Sequence, residues 1–473
     1  KLKSGSDIRG VALGDAPTLT PDIAERCAAA FAVLLKKAAG RAPRVAVGGD
    51  PRLSSPALRA AAEKGLCGQG CEVLSCGGAT TPAMFFATGY ADCDGAIEIT
   101  ASHLPQDRNG LKFFTRAGGL EASDVEDILT LAPDVTPAES GRILPFDIMT
   151  PYAAHLRDLV RRHAGSETPL AGKKIIVNAG NGMGGFFATD VLAPLGADVD
   201  GSVNLTPDGT FPVHIPNPES AAAMEATAAA VKAAGAALGI CFDTDCDRAA
   251  VVDETGREIN SDRLIALISA ILLEETPGGT IVTDSVTGSG LKTFIEVRGG
   301  HHHRFKRGYK NVINEAKRLE TEGVFVPLAI ETSGHAALKE NGYLDDGAYL
   351  AVRILCALAD GKVPGDILRD LAEPAERLSF RITITAPDFR AYGQKVIDDL
   401  KEYITHYGSL ETPNYEGVRA NFDASRGDGW LMMRLSVHDP VLPVDAASDT
   451  VGGCAVMKRY LDDFLAGYDE LKF

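Results

Sequence analysis

Aromatic residues make up only 6% of this 473-residue chain, and there is a single tryptophan. Glycine and alanine are abundant instead, a mix that suits α/β layers joined by tight turns better than a β-sandwich. No apolar run reaches the length of a membrane span. The opening residues, KLKSGSDIRG, are polar and hold no signal-peptide core, while the start at Lys1 without Met implies trimming. Positive charge is also short: 47 Lys and Arg against 64 Asp and Glu leave a net charge of -17. That balance argues against a nucleic-acid partner, which needs clustered cations, but allows a small phosphorylated substrate held by a few local ones. Nine cysteines are present without any C-x-x-C pair, which removes a zinc ribbon and a thioredoxin-type site. Cys67, Cys71 and Cys76 read as small core residues rather than a redox cluster, and a reducing compartment is expected.

What is present is a repeated pattern. Val45–Val47, Ile175–Val177 and Ile281–Thr283 are short apolar, β-branched runs. Each leads into a polar or glycine-containing turn (GGDPRLSS, NAGNGMGG, DSVTGSG) and then into helical spacing. Short apolar strands of this kind predict a parallel sheet covered on both faces, with ligands bound at the carboxyl ends of the strands. From about Ala375 the pattern changes to alternating strands (FRITITAP, GWLMMRLSV), a helix around Arg390–His406 and a last helix near Met457–Ala466. The expected architecture is three related α/β domains with mixed or parallel sheets, 1–146, 147–256 and 257–374. A smaller α+β domain, 375–473, completes a central cleft. The alanine-rich run Ala221–Ala237 is read as an ordinary helix.

Two motifs carry chemistry. DTDCDR places Asp243, Asp245 and Asp247 at alternate positions just after the apolar run Ala237–Ile240. Three carboxylates crowded at a strand end call for a cation, and oxygen-only ligands suit Mg²⁺. An EF-hand is excluded because Arg248 stands where that loop needs glycine, and apolar strand residues follow. TASHLPQDRNGLKFF, Thr100 to Phe114, contains Ser102, His103 and Lys112. The G-x-S-x-G elbow of a Ser–His hydrolase is absent, so a hydroxyl that accepts phosphate beside the metal is the better reading. A rival lies in Gly180, Gly182 and Gly185, a G-x-G-x-x-G after a strand with Asp198 or Asp200 about twenty residues on. It supports the alternative of an NAD-dependent oxidoreductase, although SVNLTPDGTFP does not continue a nucleotide-binding unit. His301–His303 read as a polar loop rather than a metal site, the short basic cluster Arg304–Lys310 as local phosphate attraction, and His335 is left as either base or lining.

These motifs, in order, resemble the α-D-phosphohexomutase superfamily of phosphoglucomutases and phosphomannomutases. The resemblance rests on SGSDIRG with Arg9, GGDPRLSSP with Arg52, TASHLP, LTPDGTFPVHIPNPE (Leu205–Glu219), DTDCDR, RGYKNV (Arg307–Val312), ETSGH (Glu331–His335) and DDGAY (Asp345–Tyr349). It implies that Ser102 is a phosphoserine and that Asp243, Asp245 and Asp247 bind Mg²⁺ together with its phosphate. It places His103, Lys112 and Arg9 around proton transfer and phosphate handling. Substrate contacts are implied for Arg248, for Gly308, Tyr309 and Lys310, and for Glu331 and Ser333 on the sugar hydroxyls. Arg434 and Ser436 are implied to bind phosphate, but their loop, Arg434–Pro440, departs from the family's R-P-S-N-T-E-P at His438 and Asp439. Leu104 replaces the usual Asn of TASHNP. The expected activity is an isomerase's: interconversion of hexose 1- and 6-phosphates of glucose or mannose through a hexose 1,6-bisphosphate, with hinge motion of the fourth domain. The altered loop motivates an alternative, a non-catalytic sugar-phosphate-binding descendant. The cytoplasm is the expected compartment, with the plastid stroma as the alternative.

Overall fold

The computed structural model describes residues 2–436 and 439–472, so the sequence readings at Lys1 and His438 lie outside the described residues. The chain divides into two compact units, Lys1–Glu275 with Pro327–Arg369, and Thr276–Val326 with Asp370–Phe473.

In the first unit, β1 (Asp7–Val11) leads to α1 (Pro21–Ala39), whose first turn is capped by the Thr20 hydroxyl accepting from Ile23 N. Then come β2 (Arg44–Gly49), α2 (Ser55–Cys67), β3 (Glu72–Gly78), α3 (Thr81–Tyr90), β4 (Gly95–Ile99) and β5 (Arg108–Thr115). An edge strand, β6 (Arg142–Pro145), closes the series. The sheet runs Lys3–Ser4, β1, β5, β4, β2, β3, β6. Its centre is parallel, as the apolar runs predict, while β5 pairs antiparallel to both β4 and β1. Odd-numbered residues of β2 and β4 (Val45, Val47, Ile97, Ile99) join Phe31 and Leu58 of α1 and α2 in one core. The opposite face of the sheet meets α3, where Phe85 lies edge-on to Phe114 at 6.1 Å. Both faces are covered, which is why the central strands carry no polar alternation.

A second sheet holds β7 (Ile175–Asn178), β8 (Leu238–Phe242) and β9 (Ala249–Asp253), with β8 parallel to β7 and antiparallel to β9. Between β7 and β8 lies α4 (Ala221–Ala234), ended by left-handed Gly235. The element after the glycine turn is irregular: Phe187–Leu192 winds as a π-helix and Ala193–Leu195 as a 3-10 turn. The unit is completed by an antiparallel ladder, Leu328–Ile330, Ala336–Leu338 and Leu344–Asp345, and by the buried helices Asp262–Glu275 and Gly347–Ala359.

The second unit contains a parallel pair, Thr280–Thr283 and His301–Arg304, with helices Ser289–Val297 and Tyr309–Thr321. Its larger part is an antiparallel sheet ordered Ser409–Leu410, Val418–Phe422, Gly429–Met433, Val441–Ser448, Glu376–Ile384, Leu471–Lys472. Helices Phe389–Tyr403 and Gly453–Leu465 cover its apolar side. This is the expected α+β domain, except that GWLMMRLSV is strand only as far as Met433. No helix among the described residues is long and apolar enough to cross a membrane.

Candidate active site

DTDCDR is the connection of the β8–β9 hairpin, and all six of its residues are buried. Cys246 takes a left-handed φ of 62° to close the turn. Three separate segments pin the loop through the backbone: Met183 N to Thr244 O (2.8 Å), Thr81 N to Asp245 O (3.0 Å) and Gly347 N to Cys246 O (3.0 Å). One oxygen from each of Asp243, Asp245 and Asp247 falls within 4.8 Å of the others. The Oδ1 atoms of Asp245 and Asp247 are buried with no hydrogen-bond partner among the described residues. Buried carboxylate oxygens without a donor are costly, so the donor set fits a hard cation.

Electrostatics agree. Burial, then Asp247 and Asp245, push the Asp243 carboxyl well above its ordinary range. Burial also works against charge on Asp247, but Lys112 and Arg248 hold it far below that range. The Lys112 ammonium donates to Asp245 Oδ2 at 2.8 Å and also to Asp247 Oδ2, and those carboxylates keep it charged against the cost of burial. Thr81, at the start of α3, adds a hydroxyl bond to Asp245 Oδ2 at 2.6 Å.

Ser102 follows β4 in a left-handed conformation, φ 51°, and is 2% exposed. Its hydroxyl donates to Asp243 Oδ2 at 2.9 Å and lies 3.4 Å from both His103 Nδ1 and Arg248 Nη2. The backbone there is held by Arg52, which is fully buried. Its guanidinium bonds Asp50 (3.0 Å) and four carbonyls: Ser102, Leu104 (2.7 Å), Pro105 (2.6 Å) and Arg108 (3.0 Å). Asp50 is braced in turn by the Thr100 and Ser55 hydroxyls at 2.8 and 2.9 Å. The segment Leu205–Glu219 finishes the frame. Gly209 passes so close to Pro51 that a side-chain carbon there would meet Pro51 O at 2.2 Å, Phe211 faces Arg52, and Glu219 pairs with Arg248 at 3.1 Å.

ETSGH is joined to the acid hairpin by a bridge between Arg248 and His335. The His335 ring lies 2.9 Å from Ser333 Oγ, 3.8 Å from Glu331 and 3.7 Å from Asp247. Burial pushes His335 well below the usual imidazole range, and burial with Arg248 and Arg9 pushes His103 down to about 3. Both rings are therefore held in the neutral form. Arg9 bonds Asp7 at 2.9 Å, and its charge bears on His103 and Lys112. The first unit thus gathers Ser102, His103, Lys112, Arg9, the three aspartates, Arg248, Glu331 and Ser333.

The remaining predicted residues belong to the second unit. Gly308 (φ 120°) precedes the helix that Tyr309 and Lys310 open. Arg307 N donates to Glu416 at 2.8 Å, and the Ser285 hydroxyl donates to the same oxygen. Arg434 and Ser436 start the connection between Gly429–Met433 and Val441–Ser448, with Arg434 N on Pro443 O and Ser436 N on Val441 O. Burial, reinforced by Arg307, pushes the Arg434 guanidinium down against the pull of Glu416. A cation destabilised this way gains from an anionic ligand.

The competing motifs have structural uses. A side-chain carbon at Gly182 would meet the Thr244 backbone at 2.8 Å, and one at Gly185 would meet Leu205 O at 2.0 Å, so the glycine turn is filled by the chain itself. His302 bonds Thr283 at 2.8 Å, whereas His303 bonds Glu315 at 2.9 Å, so alternate strand faces keep the histidines apart. All nine cysteines are free, and burial pushes Cys71 and Cys76 up to about 12, which makes them inert. Thr81, Glu219 and Glu416 were not assigned roles by the sequence. Each acts across a separation of tens to hundreds of residues that no local spacing reveals.

The profiles for phosphoglucomutase/phosphomannomutase alpha/beta/alpha domains I, II and III match residues 1–133, 150–256 and 260–375. A phosphoglucomutase of Neisseria meningitidis serogroup A is 31% identical over 465 residues, covering 97% of this chain and 95% of the relative. A phosphomannomutase/phosphoglucomutase of Pseudomonas putida is 32% identical over 418 residues, covering 86% and 84%. The crystal structure of a phosphoglucomutase/phosphomannomutase family protein from Burkholderia thailandensis superposes with a TM-score of 0.84 at 28% identity, covering 100% of this chain and 99% of that one.

Proposed function

The chain belongs to the phosphoglucomutase/phosphomannomutase family of isomerases, and we propose that it interconverts hexose 1-phosphate and hexose 6-phosphate, of glucose, mannose or both, with Ser102 as phosphoryl carrier. The observation that supports this most is the Ser102 hydroxyl, 2.9 Å from Asp243 at the rim of a buried three-carboxylate cluster in which two oxygens accept no hydrogen bond among the described residues. A non-catalytic sugar-phosphate binder would have no use for that hydroxyl.

Asp243, Asp245 and Asp247, with the phosphate on Ser102, would hold Mg²⁺. Bound there, Mg²⁺ would draw negative charge from the phosphoryl oxygens and so favour transfer. The chain's own residues do the rest. A hydroxyl oxygen of the sugar monophosphate forms a bond to phosphorus as the bond from phosphorus to Ser102 Oγ breaks. The sugar hydroxyl's proton leaves by way of His335, beside Ser333, and an equivalent proton reaches Ser102 Oγ by way of His103 as its bond to phosphorus breaks, so the neutral rings relay one proton and neither ends with a changed charge. Arg248 steadies the charge that appears on Ser102 Oγ. The resulting 1,6-bisphosphate, which also serves as activator, returns its other phosphoryl group to Ser102 by the reverse sequence. Lys112, fixed as a cation, and Arg9 attract phosphate rather than exchange protons. Glu331 and Ser333 would bond the sugar hydroxyls. On the second unit, Arg434 and Ser436, with the segment Gly308–Lys310, would bind the phosphate that is not transferred.

Intact-mass measurement with and without Mg²⁺ and glucose 1,6-bisphosphate, followed by phosphate mapping, tests the assignment. One phosphate on Ser102 is expected, with turnover of glucose 1-phosphate or mannose 1-phosphate in a coupled assay. Phosphate on another residue, together with full activity of Ser102→Ala, overturns it.

A further inference from the structure

Glu98 sits in the middle of β4, is 0% exposed, and neither of its carboxyl oxygens has a hydrogen-bond partner among the described residues. Its carboxyl lies over Gly48 on the α3 side of the sheet, where a side-chain carbon at Gly48 would meet Met84 Sδ at 2.6 Å and Glu98 Oε2 at 2.9 Å. No role in the chemistry above uses it. A buried carboxyl without a donor is a standing cost, and a methionine or leucine would fill the same space without it.

The register shows what stands next to it. Glu98 is the residue directly opposite Lys112 in the antiparallel β4–β5 pair. Opposed residues share a sheet face, with β-carbons about 5 Å apart. The Lys112 stem therefore leaves the sheet beside Glu98 and runs on to the outer oxygens, Oδ2, of Asp245 and Asp247. The charges that face Glu98 are Asp50 and Asp245, which with burial push its carboxyl well up, and Lys112 and Arg59, which oppose them. Arg59 is engaged with Glu63 at 3.7 Å on its own helix. Lys112 is the cation within side-chain reach that has somewhere to move from.

A divalent ion held by Asp243, Asp245 and Asp247 would share two of those carboxylates with the ammonium, which bonds Asp245 and Asp247. It would repel that ammonium and drain the charge that holds it. We propose that Glu98 is a positioning residue, the second seat of the Lys112 ammonium when a divalent cation occupies the acid hairpin. This rests on the reading of Asp243, Asp245 and Asp247 as a metal site. In the metal-free protein Lys112 bonds the aspartates, and in the loaded protein it turns across the strand pair to Glu98.

The test is direct Mn²⁺ binding by the full chain, read by electron paramagnetic resonance without turnover. Glu98→Met should weaken Mn²⁺ by about tenfold, and Glu98→Gln, with the same shape and one acceptor, by less. In a Lys112→Met background Glu98→Met should change nothing, because the partner is gone. The Lys112 ε-carbon resonance should shift on metal binding in the wild type and stay put in Glu98→Met. Wild-type Mn²⁺ affinity in both Glu98 variants, or an equal loss with and without Lys112, overturns the proposal. Asp247→Asn separates the two readings. If it binds Mn²⁺ as tightly as the wild type, the hairpin is not the metal site and this inference falls with it. If it loses Mn²⁺ while Glu98→Met does not, the metal site stands and the second seat alone is wrong.

Discussion

Two hairpin connections make opposite uses of the same local architecture. Asp243–Arg248 joins β8 to β9, and residues 434–440 join Gly429–Met433 to Val441–Ser448, in both cases between antiparallel neighbours. The first is buried throughout and gripped through its backbone by three other segments, so its carboxylates are fixed before any ligand arrives. The second keeps Arg434 and Ser436 half-buried, with Asp439 and Pro440 exposed. A site for a small ion needs rigid ligands at set distances, whereas a phosphate carried on a sugar tolerates a looser cradle of donors. The difference also bears on the sequence: the buried hairpin carries DTDCDR intact, and the connection with half-buried Arg434 and Ser436 is where the motif resemblance breaks down.

The sharpest break of that comparison comes from the acceptor beside the rigid loop. Ser102→Ala should lower kcat by about 10⁴-fold or more and abolish phosphate uptake by intact mass, with little change in Tm. Activity within about tenfold of the wild type would place the carrier elsewhere. Next, Asp243→Asn should lower kcat by about 10³-fold. It should also raise the Tm of the metal-free protein, because a carboxyl crowded by two others is relieved. Arg434→Ala should act differently, raising KM by about tenfold with a smaller change in kcat and no gain in Tm. If the two variants altered kcat and KM in the same proportions, the hairpins would not be playing separate parts.

The smallest effect is in pH. His103 titrates near 6.5 in the unfolded chain and at about 3 in the fold. Between those values the unfolded state binds more protons, so stability is fully present above about pH 6.5 and declines as pH falls through that window. Relative to His103→Gln, metal-free wild type should lose about 1 kcal/mol between about pH 6.5 and 5.5 in urea unfolding. A flat difference would mean that the ring is solvated.

Motif order carried much of this into view before any coordinates, because sites built on one short loop are visible as one short string. DTDCDR brings three proposed metal ligands into one string, and TASHLP holds the proposed phosphoacceptor. Supports that act across the chain left no such trace. Arg52 stands in a quoted motif, but its four carbonyl bonds to the Ser102 segment span about fifty residues, and Thr81 reaches Asp245 across 164. Glu98 carries no motif signal, because one acid among the buried residues of β4 belongs to no recognisable string. Local period also misled at Gly180–Gly185, where small residues serve close packing against Thr244 and Leu205 rather than a nucleotide.

One detail of backbone shape bears on which residue could serve as the proposed phosphoacceptor. Ser102 sits at φ 51°, a region that unbranched polar residues enter at modest cost and β-branched residues resist. Threonine offers the same hydroxyl and is the usual stand-in for serine in phosphate chemistry. Here the exchange would force either the backbone out of its left-handed turn or the hydroxyl away from Asp243. On the proposed mechanism the loop would select its phosphoacceptor by conformation as much as by reactivity, and serine to threonine is not a conservative change at this position.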